Sequence, residues 1–86
     1  MMKNILLDWL KSNQNEKIDF NDELNRLTIK PLNDFIIIKY WKPKQGRNMD
    51  LWRVISEIKI TPEFLEECTN YDKLADDLYK KLLEGG

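Results

Sequence analysis

The sequence predicts an α+β domain: a three-stranded antiparallel meander preceded by one helix and followed by two, in the order α-β-β-β-α-α. Three observations lead to that class. Apolar residues near the N-terminus recur at helical spacing, the middle of the chain alternates with a period of two between turn signals, and the last quarter returns to helical spacing behind two capping signals. At 86 residues the chain makes one domain, 1–86, and its 42% hydrophobic and 34% charged content is that of a globular protein rather than a disordered one.

Met2, Ile5, Leu6, Trp9 and Leu10 stand at i, i+3, i+4, i+7 and i+8, so a first helix is expected over 2–11. Ser12 to Lys17 is wholly polar and serves as its exit loop. Residues 18–25 fit two patterns: Phe20, Leu24 and Leu27 have helical spacing, whereas Ile18 and Phe20 alternate as in a strand, and the stretch stays unassigned. Leu27 and Ile29 alternate with Thr28 and Lys30 over an expected strand 26–30, and Pro31-Leu32-Asn33-Asp34 supplies a turn with proline at a favoured position.

Phe35 to Trp41 is β-branched or aromatic on both faces, which makes 35–42 the central strand. Lys42 to Asn48 reads as a polar hairpin loop. Leu51 to Ile60 alternates again, with Trp52, Val54, Ser56, Ile58 and Ile60 on one face. Thr61-Pro62-Glu63 opens a helix over 62–69, with a hydroxyl cap, proline at the first helical position and an acid against the positive end of the dipole. Tyr71, Leu74, Ala75, Leu78 and Leu82 give the last helix, 71–84, its apolar face, and Gly85 stops it. The expected core is Ile5, Leu6, Trp9, Leu27, Ile29, Ile37, Val54, Ile58, Phe64, Leu74, Leu78 and Leu82.

Composition removes many functions. The chain has no histidine, so Ser-His-Asp and Cys-His arrangements, imidazole metal ligands and a general base that titrates near neutrality are all missing. Its one cysteine, Cys68, stands beside Glu66 and Glu67, which disfavour a thiolate, and no intrachain disulfide can form. Gly46 is isolated between Gln45 and Arg47, so there is no glycine-rich phosphate cradle. The longest purely apolar run is Phe35-Ile36-Ile37-Ile38, and Asp8 interrupts the N-terminal one, so neither a membrane span nor a signal peptide is expected and a cytoplasmic setting fits. Richness in Lys, Asn and Ile with few Gly, Ala, Arg and Pro suggests an AT-rich coding sequence, as in a low-GC bacterium, its phage or another mobile element.

Three surfaces remain. Asp34 at the start of the middle strand, with Glu57-Ile58-Lys59 on the next, resembles the D…(D/E)xK signature of the PD-(D/E)xK nuclease family. That resemblance implies two carboxylates on Mg²⁺ and a lysine assisting the attacking water. The residue before Asp34 is Asn33 rather than proline, and one acid-x-Lys triplet is fewer than the composition gives by chance. The second surface is the basic segment 39–53. Lys39, Lys42, Lys44, Arg47 and Arg53 lie there close to Tyr40, Trp41 and Trp52, the pairing of cations and aromatic planes that single-stranded nucleic acid uses. With a sequence pI of about 5.4, such binding is expected to be weak.

The third is the acidic C-terminal run Glu63, Glu66, Glu67, Asp72, Asp76 and Asp77, a surface able to meet a basic groove on another protein. In size, element order and lack of catalytic residues the chain resembles small phage proteins that inhibit host nucleases, anti-CRISPR proteins among them. The expectation from sequence is a small non-enzymatic protein with no cofactor, no metal and no catalytic residue. It works by contact with another protein, as a regulator or inhibitor of a nucleic-acid-handling host protein. Weak nucleic-acid binding through 39–53 is the alternative, and a metal-dependent nuclease the third.

Overall fold

A computed structural model describes residues 2–44 and 51–85. The elements are α1 (Met2–Ser12), β1 (Ile18–Asn21), β2 (Arg26–Pro31), β3 (Ile36–Pro43), β4 (Trp52–Ile60), α2 (Pro62–Glu67) and α3 (Tyr71–Leu83). The α+β class and the flanking helices stand as the sequence predicts, but the sheet has four strands rather than three, paired antiparallel in chain order.

The additional strand is the unassigned stretch. Ile18 pairs with Ile29 and Phe20 with Leu27, so the period-two reading of these residues is the one the chain adopts. Leu24, which lends the stretch its helical spacing, is 66% exposed at the hairpin turn. Asp22 makes that turn: its carboxylate accepts the backbone N–H groups of Leu24 and Asn25, both at 2.8 Å. These bonds hold the Asp22 carboxyl below its ordinary pKa.

Helices cover one face of the sheet. α3 packs on β4 and β3, with α1 beside it. α1 buries Met2, Leu6, Trp9 and Leu10, and α3 buries Leu74, Ala75, Leu78 and Leu82. They meet Leu27, Ile29, Ile36, Ile38, Tyr40 and Ile60 of the sheet and Leu65 of α2 in one cluster. The Trp9 indole N–H donates to the Glu16 carbonyl at 2.8 Å, which anchors the exit loop of α1 and satisfies a polar atom on a fully buried ring. Both later helices are capped by side chains: Thr61 Oγ1, the expected cap, accepts from Phe64 N–H at 3.1 Å, and Asn70 Oδ1 accepts from Lys73 N–H at 3.1 Å. Gly85 has a φ of +78°, the left-handed backbone that ends a helix at glycine.

Several expected core residues lie elsewhere, and a β-bulge is the main reason. β3 and β4 pair regularly from Ile36 opposite Ile60 to Tyr40 opposite Ser56, and the register then resumes at Trp41 opposite Val54. Ile55 is the extra residue. It keeps Ser56, Ile58 and Ile60 on the helix-covered face but turns Val54 and Trp52 to the other. Val54 is accordingly 43% exposed instead of core. Ile37, one position out of phase with the buried Ile36 and Ile38, is half-buried on the outer face. Phe64 is 48% exposed, because Leu65 is the α2 residue that turns inward. Ile5 and Ile58 are partly buried against the core rather than within it. Ser56 belongs to the inner layer through its hydroxyl, which donates to the Leu82 carbonyl of α3 at 2.6 Å.

Candidate functional site

The face of the sheet turned away from the helices holds the densest chemistry. Strand register arranges it in rows. Arg26, Trp41 and Val54 form one; Asp19, Thr28, Lys39 and Glu57 the next; Lys30, Ile37 and Lys59 a third; and Trp52 stands opposite Pro43 beyond the first. Every one of these residues is half-buried or exposed.

Arg26 organises the centre. Its Nε and Nη2 donate to the two Asp19 carboxylate oxygens at 2.9 and 2.7 Å, a forked pair across β1 and β2. The same guanidinium lies 5.2 Å from the centroid of the Trp41 ring and 6.0 Å from that of Trp52. Lys39 approaches Trp41 at 5.6 Å. The Trp41 indole N–H donates to Thr28 Oγ1 at 2.8 Å, so the ring is held in one orientation. The hydrogen bonds from Arg26 hold the Asp19 carboxyl below its ordinary value, and the same contact raises the arginine. A cleft of about 280 Å³ opens beside the cluster, lined in part by Lys17, Asp19, Arg26, Thr28, Lys39 and Trp41.

The basic segment read from the sequence divides between the two faces. Lys39 and Trp41 are on the open face, while Tyr40 is buried beneath the sheet with its hydroxyl bonded to Asn25 Oδ1. Lys42 and Arg53 pair across β3 and β4 on the Tyr40 side, with the Lys42 ammonium 5.8 Å from the Tyr40 ring. Lys44 is exposed just past β3, and Arg47 lies outside the described residues. Trp52 joins Lys39 and Trp41 on the open face, which adds Arg26, Thr28, Lys30 and Lys59 from outside the basic segment. The signal for Arg26 and Thr28 was their period-two phase opposite the buried Leu27 and Ile29; for Trp52 the bulge hid which face it takes.

The acidic run is partly occupied by the fold itself. Asp76 pairs with Lys3 and Asp72 with Lys11 at 3.6 Å, joining α3 to α1. The hydrogen bond from Lys3 keeps the Asp76 carboxyl low and the lysine high. Glu63, Glu66, Glu67 and Asp77 are exposed. Glu67 and Asp77 flank the exposed Phe64 around a shallow hollow of about 400 Å³.

Glu57 and Lys59 share the open face, but Asp34 does not join them. It is exposed in the turn before β3, five residues from Lys39, the register partner of Glu57, which is about 17 Å along an extended strand. Among the described residues no group of three or more Cys, Asp or Glu side chains is placed to hold a metal ion. Cys68 is half-buried. No described helix is long and apolar enough to cross a membrane. No protein-family model, curated protein or solved structure matches the chain.

Proposed function

We propose that this protein is a small, non-enzymatic binding domain that engages another macromolecule through the open face of its sheet. The observation that carries the reading is the Trp41–Arg26–Trp52 cluster. A domain this small has few large apolar side chains to bury, yet two of its three tryptophans stand on the face that no described helix covers: Trp41 is oriented by its hydrogen bond to Thr28, and both rings lie near the Arg26 guanidinium that Asp19 holds in a forked ion pair. Tryptophan and arginine are the residues that carry most of the binding energy at macromolecular contacts, and fixing them in advance lowers the entropy lost on binding.

A second reading places the contact on the helices and makes it a protein–protein one. Phe64, 48% exposed between Glu67 and Asp77, is the observation in its favour. In that form the protein acts as a regulator or inhibitor that offers an acidic surface to a basic groove. The internal pairing of Asp72 and Asp76 leaves that surface less free charge than the sequence suggests, which is why the open face ranks first.

Capture from lysate with four immobilised forms separates the two. Retained partners are expected to be lost from Trp52→Ala and Lys39→Glu and kept by Glu67→Lys and Asp77→Lys. The opposite pattern contradicts the open-face reading and moves the site to the helices.

A further inference from the structure

We infer that the occupant of the open face is single-stranded nucleic acid, an inference that rests on the open-face reading above. Charge is the first argument. Arg26 and Asp19 neutralise each other, which leaves Lys30, Lys39 and Lys59 against Glu57 on this face, a net positive surface on a chain whose formal charge is −1. The exposed acids Glu63, Glu66, Glu67 and Asp77 belong to the helical layer on the other side. A polyanion therefore meets cations without facing the acidic helices, so the acidic pI does not oppose binding at this surface.

The second argument is aromatic. Trp41 is pinned by Thr28 and flanked by Arg26 and Lys39, with Trp52 close to the same guanidinium. Planes interleaved with cations suit a ligand that alternates flat bases with phosphates. An acidic peptide would satisfy the lysines but supply no planes for the indoles. A duplex keeps its base faces stacked internally, so an unpaired strand is the form able to use both features. From the Trp52 row to the Lys59 row the face runs about 20 Å, three steps of about 7 Å along the strands. That length suits a short run of nucleotides, near the low end of the ~4–16 covered by single-strand-binding folds.

The test is fluorescence anisotropy with 5′-labelled dT12 and rU12, a labelled 12-base-pair duplex and a labelled twelve-residue oligoglutamate, each titrated with protein at low and moderate salt. The expected result is saturable binding of the single strands, tighter than of the duplex or the oligoglutamate, weakened about tenfold between 50 and 200 mM salt for two to three phosphate contacts. Trp52→Ala and Lys39→Glu are each expected to weaken it about tenfold, while Lys81→Glu on α3 leaves it unchanged. Denaturation midpoints for all variants keep a folding defect from passing as a binding defect. No rise with single strands, an equal or tighter rise with duplex, or affinity unmoved by both face variants overturns the proposal. If oligoglutamate binds as well as dT12 and depends equally on Trp52 and Lys39, the nucleic-acid inference falls while the open-face reading stands. If no probe responds, the inference falls and lysate capture decides the open-face reading separately.

Discussion

The two faces of the sheet are built from the same strands and do opposite things. Beneath β2 and β3 lie Leu27, Ile29, Ile36, Ile38 and Tyr40, all buried under α1 and α3. On the other side the same strands carry Arg26, Thr28, Lys30, Lys39 and Trp41, tied to one another by polar and cation–aromatic contacts. The first face draws its free energy from apolar area removed from water, at about 25 cal/mol per Å². The second keeps its aromatic groups in reach of solvent, and exposed contacts of its kind contribute on the order of 0.5–1 kcal/mol each. Stability and the proposed binding thus fall to alternate residues of one chain segment, and substitutions on the two faces should have separable effects.

The largest loss is expected on the covered face. Trp9→Ala removes a fully buried ring and should cost about 3–5 kcal/mol, enough to leave a domain of this size largely unfolded, as urea titration followed by circular dichroism would show. Leu78→Ala in α3 should cost about 2–5 kcal/mol by the same measurement, and an unchanged midpoint would mean that α3 does not cover the sheet. Ser56→Ala removes the side-chain donor to the Leu82 carbonyl, which still accepts from Gly85 N–H, and should cost about 0.5–1.5 kcal/mol, which tests whether the bulge orients Ser56 inward. On the open face Trp52→Ala should move stability by less than about 1 kcal/mol while weakening ligand binding.

The smallest expected effect is one of pH. Asp22 accepts two backbone N–H bonds and Asp19 two from Arg26, so both carboxyls titrate below the ordinary 3.8 in the folded protein. Their contribution to stability is therefore present above that ordinary value and is lost as pH falls through the lower folded values. Asp22→Asn keeps an acceptor oxygen at the turn but removes the titration. It should flatten the acid limb of a urea-midpoint profile relative to the parent, and an unaltered limb would show that this turn does not contribute to it.

Much of the architecture was legible from spacing and punctuation. The helix α1, the capped start at Thr61, the stop at Gly85 and the period-two runs of β2 and β3 all follow from local rules that tertiary packing does not override. The strand β1 was obscured because four residues hold only two apolar positions, and Leu24 in the turn happened to complete a helical pattern. The bulge at Ile55 was invisible for a different reason: an extra residue leaves the composition of a strand untouched while exchanging its faces, and only the partner strand reveals it. The candidate surface was half legible. Lys39 and Trp41 stood out as a cation beside an aromatic, whereas Arg26 and Asp19 come to them through pairing with β2 and β1, and sequence proximity cannot show that.

The three tryptophans provide the most direct measurement. Each has one indole N–H resonance: Trp9 is buried under the sheet, and Trp41 and Trp52 are on the open face. In a ¹H–¹⁵N titration with dT12, the Trp41 and Trp52 indole signals and the Thr28 and Lys39 amides should shift together and saturate, while Trp9 and the α3 amides stay in place. Shifts confined to α2 and α3, or no shift at Trp41 and Trp52, would contradict the assignment of binding to the open face.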